Sequence, residues 1–351
     1  MILWMYTLIS LIILLGMIYE SSKLKGSYYW YIVLTLLIST AVFKDGSIMP
    51  DYHVYKANYQ SIINGSLDRI IEPYYILISK SVSFLGDKGF FLILLFHIWI
   101  TLRLLKPVLS YNTKLTPYVI VLYLSNFYIL FGLIQIRAGV ALSIFYYGIY
   151  YYSKKRIKFL FTILFATLFH YSAIIFLPLI YIDKLKVNRG IIFLLIFLGL
   201  LINSPIVELA NYLTGVMPLS DIQAKLITYT LESRAQEFKI NFLSPFIISK
   251  ILLGIILLTS KNEKLRNSDF IDKMYYLYFL GLLAYIYLSP FPEIAVRISN
   301  YFFFSEIFLI PALLKVYKPE KIVKISIILF AIFSLIMNIK FTTYFNYQIP
   351  T

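Results

Sequence analysis

The chain has 351 residues, of which 60% are hydrophobic and only 14% are charged, and it contains no Cys. Apolar runs of membrane-spanning length recur along the chain, which excludes an ordinary soluble fold; the missing Cys excludes disulfides, thiol catalysis and thiolate-bound metal. The formal charge of +15 comes from short Lys and Arg clusters between these runs, so it indicates membrane topology and not nucleic-acid binding.

The apolar windows predict an all-α polytopic membrane protein with about 11 to 13 transmembrane or half-membrane helices. They fall at 2–19, 28–43, 74–105, 117–134, 138–153, 158–183, 190–204, 241–259, 274–289, 299–315 and 322–338. Because no soluble domain fits between them, we expect residues 1–351 to form a single membrane domain. Two windows are ambiguous: 74–105 is long for one span and short for two, and 158–183 is interrupted near His170.

Loop charge resolves both ambiguities. If 74–105 is one net crossing and 158–183 is a hairpin of two short helices turning at His170, the loops alternate between a strongly basic side and a side of balanced charge. The positive-inside rule makes the basic side cytoplasmic. The exterior face then carries two long loops, 44–73 and 205–240, and we expect a site on that face.

The first exterior loop, 44–73, combines acidic and aromatic side chains. It contains Asp51, Tyr52, His53 and Tyr55, and it ends at Glu72 before a proline. Carboxylates beside aromatic rings are suited to orienting hydroxyls and stacking on sugars, although solvated loops are often similar in composition.

Arg137 lies within the apolar stretch FGLIQIRAGVALSIFYY, residues 131–147. A guanidinium at the centre of a bilayer costs about 3 kcal/mol or more. With the loops assigned to the two sides by charge, Arg137 falls in an outward-facing turn between two helices. There it is either an interfacial or salt-bridged residue, or a group that recognises an anion through its planar fork of donors.

His170 and Arg297 are the other candidates for chemistry. His170 lies at the bend within 158–183, where a broken helix can line a site, and it is either a general base or a core histidine bonded to a carbonyl. Arg297 follows Glu293 by four residues, so it is either a helical ion pair or a functional cation. His97 and Lys250 lie in apolar helices, and we interpret both as structural.

The order of several short motifs resembles the EpsG family, the Wzy-like polymerases of bacterial exopolysaccharide, capsule and O-antigen. The motifs are Asp51-Tyr52-x-x-Tyr55, Glu72-Pro73, IQIRAGVALSIFYYGIYYYSKKRIKFLFTILFATLFHYSA at 134–173, and EIAVRISNYF at 293–302. Walker, dinucleotide-binding, zinc-protease and nucleophile-elbow motifs are missing from the sequence, which argues against an ATP-driven pump and a zinc protease.

The resemblance implies a multi-span fold similar to C-type glycosyltransferases, with the site on the outer face of the bacterial cytoplasmic membrane. It implies a polymerase that joins undecaprenyl-diphosphate-linked repeat units and releases undecaprenyl diphosphate, with no metal or other cofactor. Membrane lipids, a chain-length regulator and a flippase are the partners it suggests.

The site roles follow from the same resemblance. Arg137 and Arg297 would bind the diphosphate, and either Asp51 or His170 would be the general base. The substrate-binding candidates are Tyr52, His53, Tyr55, Glu72, Gln135, Arg234, Glu293 and Tyr301.

Two other functions fit a membrane protein with buried arginines. A lipid-linked oligosaccharide flippase would use them for transport, but it should show two similar halves, and the sequence has no evident internal repeat. A ligase or single-sugar glycosyltransferase with a polyprenyl-linked donor would use the same groups on a different acceptor.

Overall fold

The computed structural model describes residues 50–66, 71–201, 242, 244–260, 265–266 and 268–347, with side chains up to 338. Every element in these ranges is a helix, which confirms the all-α prediction for this part of the chain. The windows 2–19 and 28–43 and the exterior loop 205–240 with Arg234 lie outside the described residues.

Twelve α-helices are described, together with one π-helix and three 3-10 helices. The α-helices are α1 (Pro50–Ile63), α2 (Pro73–Ser81), α3 (Lys88–Leu109), α4 (Thr116–Tyr123), α5 (Ile136–Tyr152), α6 (Arg156–Phe169), α7 (Arg189–Leu201), α8 (Pro245–Thr259), α9 (Asp269–Tyr287), α10 (Pro292–Phe303), α11 (Glu306–Ala312) and α12 (Glu320–Tyr347). The π-helix is Leu124–Ile134, and the 3-10 helices are Ser83–Leu85, Tyr171–Lys184 and Leu313–Lys315.

The chain divides into two compact units, each with its own packing. The first unit comprises residues up to Asp183 and those from Tyr317 onward, and the second runs from Lys184 to Val316. In the first unit α5 packs along α3 and α6, while α12 packs against α4 and the π-helix. In the second unit α9 is the central helix, in contact with α7, α8, α10 and α11. The prediction of a single domain is not tested by this division and stays a prediction.

Window 74–105 consists of two helices and a short 3-10 turn. The nine residues of α2 span only about 14 Å, too short to cross a bilayer core of about 30 Å, whereas the 22 residues of α3 span about 33 Å. The chain turns between them at Gly86, which has a positive φ of 56°. One helix of spanning length in this window agrees with the predicted single net crossing.

Window 158–183 is a hairpin that turns at His170, as predicted. The backbone of His170 is extended, with φ −158° and ψ 120°, between α6 and the following 3-10 helix. Arg156 at the start of α6 lies 5.1 Å from the ring centroid of Tyr181 near the end of the 3-10 helix. The 14 residues of α6 and the 11 residues from Tyr171 to Tyr181 each rise by about 21 to 22 Å, so this contact joins the far ends of the two arms and the chain reverses direction at His170.

The predicted turn before Arg137 is present as a break between two helix types. α4 continues into the eleven-residue π-helix, which ends at Gln135 with φ −91° and ψ 60°. A π-helix displaces backbone carbonyls from their usual partners, and the amide of Asn338 on α12 donates to two of them, at Ser125 (2.8 Å) and Asn126 (3.3 Å). α5 then begins at Ile136, so Arg137 lies in its first turn.

Two described helices, Lys88–Leu109 and Thr116–Ile134, are long and apolar enough to cross a membrane, and the bent pair Pro292–Phe303 with Glu306–Lys315 would make a third. Large apolar side chains are also exposed along α6, α7 and α8, as expected for surfaces that face lipid. The protein is a membrane protein. The predicted total of 11 to 13 helices includes segments outside the described residues and stays a prediction.

Candidate functional site

The first unit brings three sequence-predicted residues together, because Arg137 and His170 both contact the carboxylate of Glu72. Glu72 forms an ion pair with the Arg137 guanidinium through Nη1, and its other oxygen accepts a hydrogen bond from His170 Nδ1 at 2.8 Å. The side chains are 6% (Glu72), 14% (Arg137) and 27% (His170) exposed, so the imidazole is the most accessible of the three. We call these residues the Glu72 cluster.

Each member of the cluster lies where regular helix stops or starts. Glu72 immediately precedes α2, whose first residue is a proline. Arg137 follows the break at Gln135, and His170 is the extended residue of the hairpin. Helix breaks at membrane depth are tolerated where they line protein or water, so three breaks converging on one carboxylate indicate a polar site within an apolar unit.

Two tyrosines enclose the guanidinium of Arg137. The Tyr55 ring centroid is 4.7 Å from its central carbon, and that of Tyr75 is 5.3 Å away, both within range of a cation–π interaction. The Tyr75 hydroxyl donates to the backbone carbonyl of Tyr55 at 2.8 Å, which ties α2 to α1. Both tyrosines belong to a buried core that also includes Ile136. The charge is therefore held by aromatic faces as well as by Glu72.

The ionisation of Glu72 sets the protonation pattern of the cluster. Burial alone would raise the pKa of its carboxyl, but the hydrogen bond from His170 and the charge of Arg137 outweigh burial and lower this pKa below its ordinary value. An ionised carboxylate only accepts hydrogen bonds, so the His170 proton that faces it is on Nδ1. The Nε2 nitrogen has no partner among the described residues, and in the neutral ring it carries the lone pair of a base.

Arg137 keeps a donor that Glu72 does not use. Its Nε–H is buried and lacks a hydrogen-bond partner among the described residues. Buried donors are nearly always bonded, so this N–H is an unsatisfied donor within the cluster.

A family model, described as the EpsG family, matches residues 27–349. The chain belongs to the EpsG family. Membership suggests a polysaccharide polymerase-like function of the glycosyltransferase kind. Comparison with curated proteins and with solved structures gave no significant match.

The remaining predicted residues of this EpsG-family chain near the cluster lie on α1. The segment 50–63 is a helix and not an irregular part of a loop. Asp51 lies in its first turn, four residues before Tyr55. Burial, and after it the negative charge of Asp51, raises the pKa of the Tyr55 phenol. Tyr52 packs edge-on against Phe90 at 5.3 Å, and His53 is exposed. Asp51 is thus adjacent to the cluster, whereas His53 faces away from the buried core.

Three further predicted residues belong to α10 of the second unit. Arg297 is 53% exposed, with Nη2 3.8 Å from a carboxylate oxygen of Glu293, which confirms the i,i+4 ion pair as one of the two interpretations of this motif. Tyr301 is buried. An exposed helical pair of this kind contributes only about 0.5 kcal/mol, so it leaves Arg297 available for another role.

Sequence reasoning missed Tyr75 and the double contact of Glu72. Tyr75 follows Glu72 by three residues, so the helical spacing after Glu72-Pro73 could have indicated it. No local pattern indicates that one carboxylate serves both Arg137 and His170. Among the described residues no group of three His, Asp or Glu side chains could hold a metal ion, and the expected independence of metals and other cofactors stays a prediction.

Proposed function

We propose that this EpsG-family protein polymerises undecaprenyl-diphosphate-linked oligosaccharide repeat units on the outer face of the bacterial cytoplasmic membrane. The observation that carries the proposal is the Glu72 cluster, in which one carboxylate orients a histidine and holds an arginine. Family membership supports the general activity, and the balanced charge of loop 44–73 supports the outer face.

In the proposed reaction a hydroxyl of one lipid-linked unit attacks the anomeric carbon of the growing chain. The new glycosidic C–O bond forms as the bond to the diphosphate breaks, and the leaving diphosphate keeps the electron pair. His170 Nε2 takes the hydroxyl proton, because Glu72 holds Nδ1–H and stabilises the imidazolium that results. Asp51, in the first turn of α1, remains the alternative base.

The leaving group needs positive charge, and Arg137 lies close to His170 because both side chains contact Glu72. The guanidinium plane matches the geometry of oxyanions, and the 14% of the Arg137 side chain that is exposed can meet a phosphate oxygen. Glu72 prevents the charge from being stranded in an apolar unit before the substrate binds. Arg297 is proposed as a second diphosphate-binding residue on the basis of its exposure and its place in the family-like motif.

The test is an assay of the purified protein in lipid nanodiscs with synthetic undecaprenyl-diphosphate repeat units. We expect the wild type to form polymer and H170Q to lose activity by at least about 100-fold, the usual contribution of a general base. The control K80Q changes an exposed lysine on α2 and should retain wild-type activity.

Other outcomes of the assay distinguish the alternatives. Transport of unchanged units across the bilayer without bond formation would replace the polymerase with a flippase. Transfer of a unit only to a different acceptor would indicate a ligase or single-sugar transferase. Equal activity of H170Q and the control K80Q would remove His170 from the chemistry and make Asp51 the base to test.

A further inference from the structure

The second unit contains an ion pair that is almost completely removed from solvent. Lys250 Nζ on α8 donates to both carboxylate oxygens of Glu306 on α11, at 2.6 and 2.5 Å. The two side chains are 6% and 0% exposed. The sequence predicted that Lys250 is structural, and no local spacing connects it with a glutamate 56 residues away.

Stability alone does not explain two charges at this depth. The free energy needed to remove both charges from water can exceed the free energy gained from their attraction. Apolar residues of similar volume are often at least as stabilising. An ionisable pair inside a membrane bundle is therefore a candidate for a functional role. The question is which feature of the unit requires a charge pair here.

Lys250 contacts both sides of a break in the chain. Glu306 is the first residue of α11, and Phe303, whose ring centroid is 5.3 Å from Lys250 Nζ, is the last residue of α10. The two helices meet at an angle of 45° across this break. On the α8 side the carbonyl of Lys250 accepts a 2.6 Å hydrogen bond from Tyr278 of α9, so the lysine backbone is itself anchored.

Hydrogen bonds within the chain segment at the break also satisfy part of its backbone. The Ser305 hydroxyl donates to the carbonyl of Phe302 at 2.7 Å, and the Phe304 N–H donates to that of Asn300 at 3.2 Å. These short-range bonds satisfy the backbone but can accompany many bend angles. The Lys250 contacts come from another helix, α8, and they restrict the direction of α10 relative to α11.

We propose that Lys250 is a positioning residue, which sets the direction of α10 by joining Phe303 and Glu306 across the break and thereby places Arg297. The role of Arg297 in diphosphate binding is part of the proposed function, so the catalytic consequence of this inference depends on that function. The positioning itself does not depend on it and can be measured without substrate.

The test uses the natural absence of Cys, which allows spin labels at introduced cysteines only. Labels at R297C on α10 and T259C on α8 report the direction of α10 within the second unit, and both positions are exposed. We expect one narrow distance distribution by double electron–electron resonance. The double substitution K250M/E306L removes both charges together, so no buried charge is left unpaired, and should broaden or shift the distribution while thermal stability stays near that of the parent.

A control and a second variant keep the test decisive. The control D269N/K273M removes an ion pair within α9 that crosses no break, and should leave the distribution narrow. The second variant, F303L, keeps the charges and removes only the ring on the α10 side, so it should broaden the distribution in a folded protein. A distribution that is unchanged in either folded test variant would overturn the positioning role.

The assay for polymer formation then separates the two proposals. In the unlabelled K250M/E306L protein we expect kcat to fall by about 10- to 100-fold, as for a displaced catalytic group, with KM less affected. If the wild type makes no polymer, the proposed function fails, whereas the label distances still decide whether Lys250 positions α10.

Discussion

At the scale of single residues, Glu72 connects more of the candidate chemistry than any other described side chain of the first unit. Each of its two carboxylate oxygens has a different partner: one pairs with Arg137, and the other fixes the tautomer of His170. The enclosing Tyr55 and Tyr75 rings stabilise the guanidinium through cation–π contacts. Arg137, whose cost made it conspicuous in the sequence, is thus a charge with a partner.

Replacing Glu72 with Gln should destabilise the protein at neutral pH, by about 3 kcal/mol, because the buried Arg137 loses its counter-charge. The pKa of Glu72 is lowered by folding from an ordinary value of 4.5. The stabilisation is therefore fully present above about pH 4.5 and is lost as the pH falls through the lowered pKa. Thermal unfolding of wild type and E72Q in detergent should differ most near pH 7 and converge in acid.

The matched control for this experiment is E320Q. Glu320 pairs with Lys318 at an exposed position of the same unit, where an ion pair contributes little. Its unfolding temperature should follow that of the wild type at each pH. A gap between wild type and E72Q that is equally large at acidic and neutral pH would show that Glu72 acts through packing and not through its charge.

At the scale of elements, the passage from π-helix to α5 is the feature that places Arg137. Gly139 in the first turns of α5 donates its N–H to the carbonyl of Gln135 at 2.8 Å, and it lies directly against the end of the π-helix. A Cβ at Gly139 would be only 2.0 Å from the carbonyl oxygen of Phe131. The close approach of these two backbones therefore requires glycine at this position.

The substitution G139A tests the close contact of these two backbones, because the contact reverses the usual effect of Gly to Ala on stability. Inside an unconstrained helix, Gly to Ala stabilises by about 1 kcal/mol. Here the methyl group would overlap a backbone oxygen, and we expect destabilisation by about 1 to 3 kcal/mol, measured as a lower unfolding temperature. G190A in α7, where the nearest atom is 3.4 Å from the added carbon, is the control and should not lower that temperature. An unfolding temperature raised by G139A would contradict the packing described for the break.

At the scale of the whole molecule, charge distribution makes a prediction about sidedness. Basic residues concentrate in the loops assigned to the cytoplasm, and α1 lies in a segment assigned to the exterior. The described helices agree with the crossing pattern at the two ambiguous windows, 74–105 and 158–183. Orientation relative to the membrane follows from the charge rule and calls for a chemical test.

Thiol labelling provides this test in a chain without native Cys. A cysteine introduced as H53C on α1 should react with a membrane-impermeant maleimide in intact cells. One introduced as K155C, exposed in the turn between α5 and α6, should react only after permeabilisation. The reverse pattern would place the Glu72 cluster on the cytoplasmic side and would be incompatible with polymerisation on the outer face.

Much of the architecture could be predicted from the sequence because its causes are local. A polar backbone in lipid must be satisfied within a helix, so apolar runs define helices, and a charge or bend interrupts them. The breaks before Arg137 and at His170 were predictable in this way, and so was the ion pair of Glu293 with Arg297. The helical state of 50–63 was not, because its polar and aromatic residues show no clear helical periodicity.

The sequence by itself determined the membrane class, the helix breaks and which polar residues needed a partner. Only the tertiary structure decided the partners: Glu72 for both Arg137 and His170, which are 65 and 98 residues distant, and Glu306 for Lys250. The physical reason is that partner choice depends on the rotation of each helix about its axis. In helices that are apolar on nearly all faces, no hydrophobic periodicity encodes that rotation, and it is set by packing against neighbouring helices.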